Sequence, residues 1–344
     1  MNKVAIVGAG AMGTILGAYL NKNGCKAKLV DNYKEHVEAL NEKGAKIIGT
    51  VEMTVPVCAK LPSQMEGIYD LIILFTKQMV NTQVLSNLMP HLDEHSVVLT
   101  LQNGIPEPFV EGIIGGNRTV GGAVLWGATF IEPGVSELTS KRMNDVLFDI
   151  GEIDGKVTPR IKEVAKILEC MGSVEIVENI MEARWAKLVN NACMSGMSAY
   201  CGSTFGGIIE NQKSKACLSY LGREVKKCCE AEGYTMPTLV FGFSPDSLDI
   251  KGEAQYNENQ KMFADMYASL PDAKASMLQD LENGKVTEVS MINGYVVEIG
   301  EKHGIPTPFN KIVVEVVKKI EAGSLARSFD NLQYFKEEWF EYGL

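Results

Sequence analysis

Three groups of residues carry chemistry. Gly8-Ala9-Gly10-Ala11-Met12-Gly13 has the spacing G-x-G-x-x-G. Between a strand and a helix, such a loop lets backbone N–H groups close on a diphosphate, which the positive end of the helix attracts. Far downstream, Lys187, Asn191 and Ser195 stand at i, i+4 and i+8, stacked along one face of a helix. A solvated stripe would more often hold several charges. Here one amine sits with small neutral groups in an otherwise apolar segment (Leu188, Val189, Ala192, Cys193, Met194), which suits a cleft that donates one proton. Ser276 and Glu288 flank a break at Gly284. Taken alone, Ser276 reads equally well as a helix-surface residue and Glu288 as a partner of a helix dipole.

The elements around these residues follow from apolar spacing. Short β-branched runs at Lys3–Gly8, Lys26–Asp31, Asp70–Phe75, Ser96–Gln102 and Thr119–Val124 alternate with amphipathic stretches at Ala11–Asn23, Tyr33–Lys43 and Gln78–Met89. That alternation predicts βαβ units and a parallel sheet. The glycine loop thus follows the first strand and opens the first helix, the context in which Gly8 makes the tight turn, Gly10 admits a pyrophosphate and Gly13 lets helix and strand pack. Asp31, at the end of the second strand, could accept hydrogen bonds from the adenosine ribose and would repel a 2′-phosphate, which mildly favours NAD(H) over NADP(H). It could equally cap the turn before the next helix, and Lys28 or Lys34 could offset its charge. Residues 126–150 predict an antiparallel extension closing the sheet, followed by a helix at Pro159–Met171 and a last strand at Val174–Val177.

Beyond Glu178 the pattern becomes helical, at Ile180–Tyr200, Lys213–Glu232, Asn257–Ala268, Ala273–Asn283, Val286–His303 and Pro308–Ala322. The expected fold is therefore α/β, with an N-terminal Rossmann dinucleotide-binding domain (1–178) and an all-helical C-terminal domain (179–344). The stretch Thr235–Gly252, rich in Pro, Gly and Ser, is either a loop covering a site or a plain connector.

At 344 residues, 46% apolar and 22% charged, the chain has enough core-forming residues for two globular domains. Its longest apolar runs, Leu71–Phe75 and Val97–Leu101, fall far short of the roughly 20 residues of a membrane span. The N-terminus leaves no room for a secretory leader before the glycine loop, so a cytoplasmic location is expected. A net charge of −10 disfavours nucleic acid and anionic lipid as partners. The eight cysteines include no C-x-x-C pair, and His91 and His95 lack a third ligand nearby, so neither disulfides nor a metal are expected. His36 and His303 read as helix-surface residues, and the apolar helix spanning Ile312–Ile320 could hold a homodimer.

Together these residues resemble the ketopantoate reductases (2-dehydropantoate 2-reductases). The resemblance spans nearly the whole chain: the glycine loop, Thr76-Lys77, Gln102-Asn103-Gly104, the Trp185-x-Lys187-Leu188-x-x-Asn191 helix, and the segment Ser276-Met-Leu-Gln-Asp280…Thr287-Glu288…Ile292-Asn293-Gly294. It implies reduction of the C2 carbonyl of ketopantoate by NAD(P)H in a cleft between the domains. Lys187 would be the general acid, Ser276 would bind the substrate carboxylate and Asn191 would hydrogen-bond the substrate. Glu288 would orient substrate and cofactor, and Lys77 and Asn103 would line the cleft beside the nicotinamide. The chain departs from the family pattern at Ser195, Phe205 and Ser290, where amides or a carboxylate are common. Asp31-Asn32 stands where an Arg is usual after the second strand. A pocket with fewer amides discriminates less in favour of ketopantoate's hydroxyl. The departures keep open a D-2-hydroxyacid dehydrogenase acting on another branched or aromatic 2-oxo acid. A non-catalytic dinucleotide sensor is disfavoured, because it would have no need of Lys187.

Overall fold

In a computed structural model, residues 1–140, 143–239 and 242–343 are described. The backbone divides into two compact units, Met1–Met181 and Glu182–Leu344, where the sequence pattern placed the boundary at 178/179.

In the first unit the strands β1 (Val4–Val7), β2 (Lys28–Val30), β3 (Ala45–Gly49), β4 (Met53–Val55), β5 (Cys58–Lys60), β6 (Leu71–Leu74), β7 (Val97–Thr100), β8 (Thr119–Val124), β9 (Ala128–Glu132), β10 (Val135–Leu138), β11 (Leu147–Glu152) and β12 (Ser173–Ile176) form two sheets. The larger has the order β12-β11-β8-β7-β6-β1-β2-β5. Its run from β5 to β8 is wholly parallel and has the doubly wound order, with the switch point between β1 and β6. Ligands of such sheets bind at the carboxyl ends of the strands at this point.

The central strands read as unbroken apolar runs because both faces are covered. Val4, Ile6, Leu71 and Ile73 pack into one core with α1 (Ala11–Lys22) and α5 (Pro159–Leu168). Their neighbours Ala5, Val7, Ile72 and Leu74 point the other way, into a second core with α3 (Asn81–Leu88) and α4 (Glu107–Ile114). Between them in the chain, α2 (Lys34–Lys43) follows β2.

The expected antiparallel extension is half correct. β11 does pair antiparallel with β8, and β12 then adds parallel to β11. β9 and β10, however, join β3 and β4 in a separate sheet of order β4-β3-β10-β9. β10 is parallel to β3, so its partner lies about 90 residues back in the chain. β3 alternates buried and exposed positions, and Ala45 and Ile47 pack into the same core as α1.

Among its described residues the second unit has no strand. α6 (Ile180–Asn190), which starts at the end of the first unit, runs through a π-helical segment, Asn191–Ser195, into α7 (Gly196–Cys201). Then come α8 (Phe205–Glu210), α9 (Gln212–Ala231), α10 (Glu253–Tyr267), α11 (Ser276–Glu282), α12 (Asn293–His303) and α13 (Pro308–Glu321). Residues 286–292, expected to be helical, form turns before α12. α13 buries Phe309, Val313, Val316 and Val317 within its own unit, so its apolar stripe is core. The stretch 235–252 holds a short 3-10 turn at Pro245–Leu248; Val240 and Phe241 lie outside the described residues.

Candidate active site

In the first unit, the predicted residues collect at the carboxyl ends of β1, β2, β6 and β7. Gly8 has φ +93°, and a Cβ there would stand 2.6 Å from the Thr76 nitrogen, so the glycine loop lies directly against the loop that follows β6. A Cβ on Gly13 would collide with the Gly8 carbonyl oxygen. On Gly10 it would meet nothing within 4 Å. Gly10 caps α1 without any side-chain acceptor, and the N–H of Thr14 is bonded back to the Gly10 carbonyl at 2.9 Å. Ala11, Met12 and Gly13 therefore form a first turn with no side-chain cap, facing a space kept open by a missing side chain. Such a turn can hold a diphosphate.

Asp31 directly follows β2 and is half-buried. Its Oδ1 accepts the Tyr33 N–H at 2.9 Å, so the turn-capping role is real and engages one of its two oxygens. Asn32 beside it is exposed. Lys34 is paired with Glu38 at 3.6 Å.

Lys77 and Asn103 sit on adjacent loops tied together by a buried amide network. The Gln102 Nε2 donates to the Thr76 carbonyl at 2.7 Å and to Asn81 Oδ1 at 2.7 Å. Its Oε1 accepts from Asn81 Nδ2 at 3.2 Å and from the Thr100 hydroxyl at 3.1 Å. Gln78 Nε2 donates to the Asn103 carbonyl. Gln102 thus fixes the loop carrying Lys77 relative to the loop carrying Asn103.

In the second unit, Lys187 lies half-buried on the last turn of α6, Asn191 opens the π segment and buried Ser195 closes it. In an α-helix each step of four residues overshoots a full turn by about 40°, so three such positions drift around the axis. A π turn is wider, closing at i→i+5, and its extra residue removes much of that drift between Asn191 and Ser195. Widening a helix strains its hydrogen-bond ladder. Here Asn293 Nδ2, at the start of α12, donates to the Ala192 carbonyl within the segment at 2.9 Å and to Asn310 Oδ1 at 2.9 Å. A Cβ on Gly196 would come 2.9 Å from Asn293 Oδ1, so glycine there permits the approach.

The network ends on Glu224, which is 5% exposed and accepts the Phe309 and Asn310 N–H groups at the head of α13, both at 2.9 Å. Burial pushes its carboxyl up to about 7, against the pull of those N–H donors and of Asn310. α11, with exposed Ser276 at its first position, packs against the π segment and α7. Glu288 is buried in the turns before α12. The aromatic ring of Phe205 meets that of Tyr267 edge to face at 5.2 Å, and the Tyr267 hydroxyl donates to Asn190 Oδ1, next to Asn191.

Both halves of the chain match the models of one family. Residues 4–154 match ketopantoate reductase PanE/ApbA, and residues 179–321 match its C-terminal part. The chain belongs to the PanE/ApbA ketopantoate reductase family. It is similar to the 2-dehydropantoate 2-reductase of Lactococcus lactis subsp. lactis (strain IL1403), 29% identical over 325 residues that cover 93% of this chain and 98% of that one. Among solved structures, a PanE/ApbA family ketopantoate reductase from Ralstonia eutropha JMP134 superposes with a TM-score of 0.78 at 25% identity, covering 94% of this chain and 99% of that one. D-mandelate dehydrogenase with NADH and anilino(oxo)acetate has the same fold, with a TM-score of 0.80 at 24% identity and the same coverage.

Sequence reasoning missed three contributors to this PanE/ApbA site. Gln102 and Asn293 were noticed only as parts of motifs, and their partners come from elements far away in the chain. His36 is a correction: it is 1% exposed, not on the helix surface. Only the polar residues it meets across the fold reveal why.

Proposed function

We propose that this chain reduces the C2 carbonyl of ketopantoate to pantoate, with a nicotinamide dinucleotide bound at the glycine loop. The observation that carries the reading is that both halves of the chain match PanE/ApbA, with a π segment bounded by Asn191 and Ser195 directly after the helical turn that bears Lys187. When bound, the reduced nicotinamide supplies the hydride. The first turn of α1 holds the diphosphate, and the free oxygen of Asp31 accepts from the adenosine ribose, favouring NAD(H). Lys77 and Asn103 border the nicotinamide end of the site, their loops held by Gln102. Lys187 donates a proton to the oxygen of the reduced carbonyl and stabilises the charge developing there. Asn191 and Ser195 hydrogen-bond the substrate, Ser276 binds its carboxylate and Glu288 orients it.

The Phe205–Tyr267 pair favours a second reading, in which the substrate is a branched or aromatic 2-oxo acid and the product a D-2-hydroxy acid. The test follows NADH and NADPH oxidation with ketopantoate, 2-oxoisovalerate and phenylpyruvate. The first reading expects the highest kcat/KM for ketopantoate. A tenfold or larger advantage for phenylpyruvate would replace it with the second (about 1.4 kcal/mol in transition-state binding).

A further inference from the structure

His36 lies in the first turn of α2, yet its ring is buried against the glycine loop. The N–H of Gly134, in the turn between β9 and β10, donates to its Nδ1 at 3.0 Å. With Nδ1 an acceptor, the neutral ring carries its proton on Nε2, which donates to the Ala9 carbonyl at 2.7 Å. The same carbonyl accepts the Thr14 hydroxyl at 2.6 Å. On the other side of the loop, the Gly8 and Ala9 N–H groups bond the Val30 carbonyl at 2.9 and 3.3 Å. The peptide between Ala9 and Gly10 is therefore held at its oxygen by His36 and Thr14. Phe130 and Tyr33 close over the ring, with centroids 5.1 and 6.4 Å away. Burial lowers the His36 pKa from its usual value, against the pull of the Ala9 carbonyl and the Asp31 charge, which keeps the ring neutral near pH 7.

We infer that His36 is a positioning residue for the dinucleotide: by fixing the Ala9 carbonyl against the turn of the second sheet, it holds the glycine loop in the shape that receives the diphosphate. This rests on the proposed dinucleotide binding. The role explains why a histidine occupies a buried position on α2, since a two-ended polar ring bridges Ala9 and Gly134 where an apolar side chain could only fill space. Two substitutions separate the ends of the ring. In His36→Gln the side-chain amide reaches the position of Nε2 and retains a donor for Ala9. In His36→Asn it reaches only the position of Nδ1 and retains an acceptor for Gly134.

The experiment titrates wild type and both variants with NADH and NADPH, reading the dinucleotide's fluorescence, and records the thermal midpoint of each ligand-free protein. The expected result is a Kd within about threefold of wild type for His36→Gln and about tenfold weaker for His36→Asn, the weight of one hydrogen bond. Equal Kd values for the two variants, or Kd losses that merely track the fall in thermal midpoint, would overturn the proposal. Wild type that binds neither dinucleotide would instead refute the binding reading, and the proposal with it.

Discussion

The residues that do local work were the easiest to read. The glycine loop announces itself because a strand, three glycines and a helix must fall within a dozen positions, and the backbone then turns at Gly8 with the conformation that only glycine tolerates well. Asp31 was legible for the same reason, and the structure keeps both of its readings alive, since one oxygen caps the turn at Tyr33 and the other does not. If that second oxygen meets the ribose, Asp31→Ala should lower the NADH-to-NADPH preference by about tenfold, the value of one charge-assisted hydrogen bond and a lost repulsion. Kd ratios for the two dinucleotides check this, and an unchanged ratio would confine Asp31 to capping. His36 was illegible because its meaning lies in Ala9 and Gly134, the second nearly a hundred residues away, while helical spacing alone placed it outside.

Among the elements, the helix bearing Lys187 was predicted as one continuous α-helix, and the π segment at Asn191–Ser195 was not foreseen. Five residues of changed pitch leave no trace in an apolar pattern this dense. The segment is held from α12 and α13, where Asn293 and Asn310 link the Ala192 carbonyl to Glu224. Asn293→Ala should lower kcat by about tenfold or more while leaving the NADH Kd unchanged, and should cost roughly 1–3 kcal/mol of stability. Steady-state kinetics with titration and denaturant unfolding check this; wild-type kcat in the variant would mean that the π segment stands without Asn293.

Glu224 adds a pH dependence. Its carboxyl titrates near 7 when folded and near 4.5 in the unfolded chain, so between those values the folded state holds a proton the unfolded state has lost. Its contribution is complete below about 4.5 and is lost as pH rises through about 7, on the order of 3 kcal/mol in all. Glu224→Gln should be less stable at pH 5, because its amide faces the N–H donors of α13. Its stability should then fall less than wild type between pH 5 and pH 8. Parallel curves for the two proteins would contradict the assignment.

At the scale of the whole molecule, the parallel core of the first unit was legible because strands covered on both faces read as bare apolar runs such as Leu71–Leu74. The second sheet was not, since β4 is three residues long and β3 finds β10 only across a long stretch of chain. α4 was missed as well, an eight-residue helix with a proline in its first turn. The helical half was legible in outline, with its turns displaced by a few residues, as helix ends commonly are. On the proposed reading the groups that reduction requires are divided between the units, with the glycine loop in the first and Lys187 in the second.

The direct test of the account is therefore Lys187→Ala, measured for both NADH binding and turnover of the 2-oxo acid that wild type reduces best. The account predicts a fall in kcat of about 10²- to 10⁴-fold, the usual weight of a general acid, with the NADH Kd within about twofold of wild type. A variant that keeps kcat within about tenfold of wild type would contradict it, for the proton would then come from elsewhere.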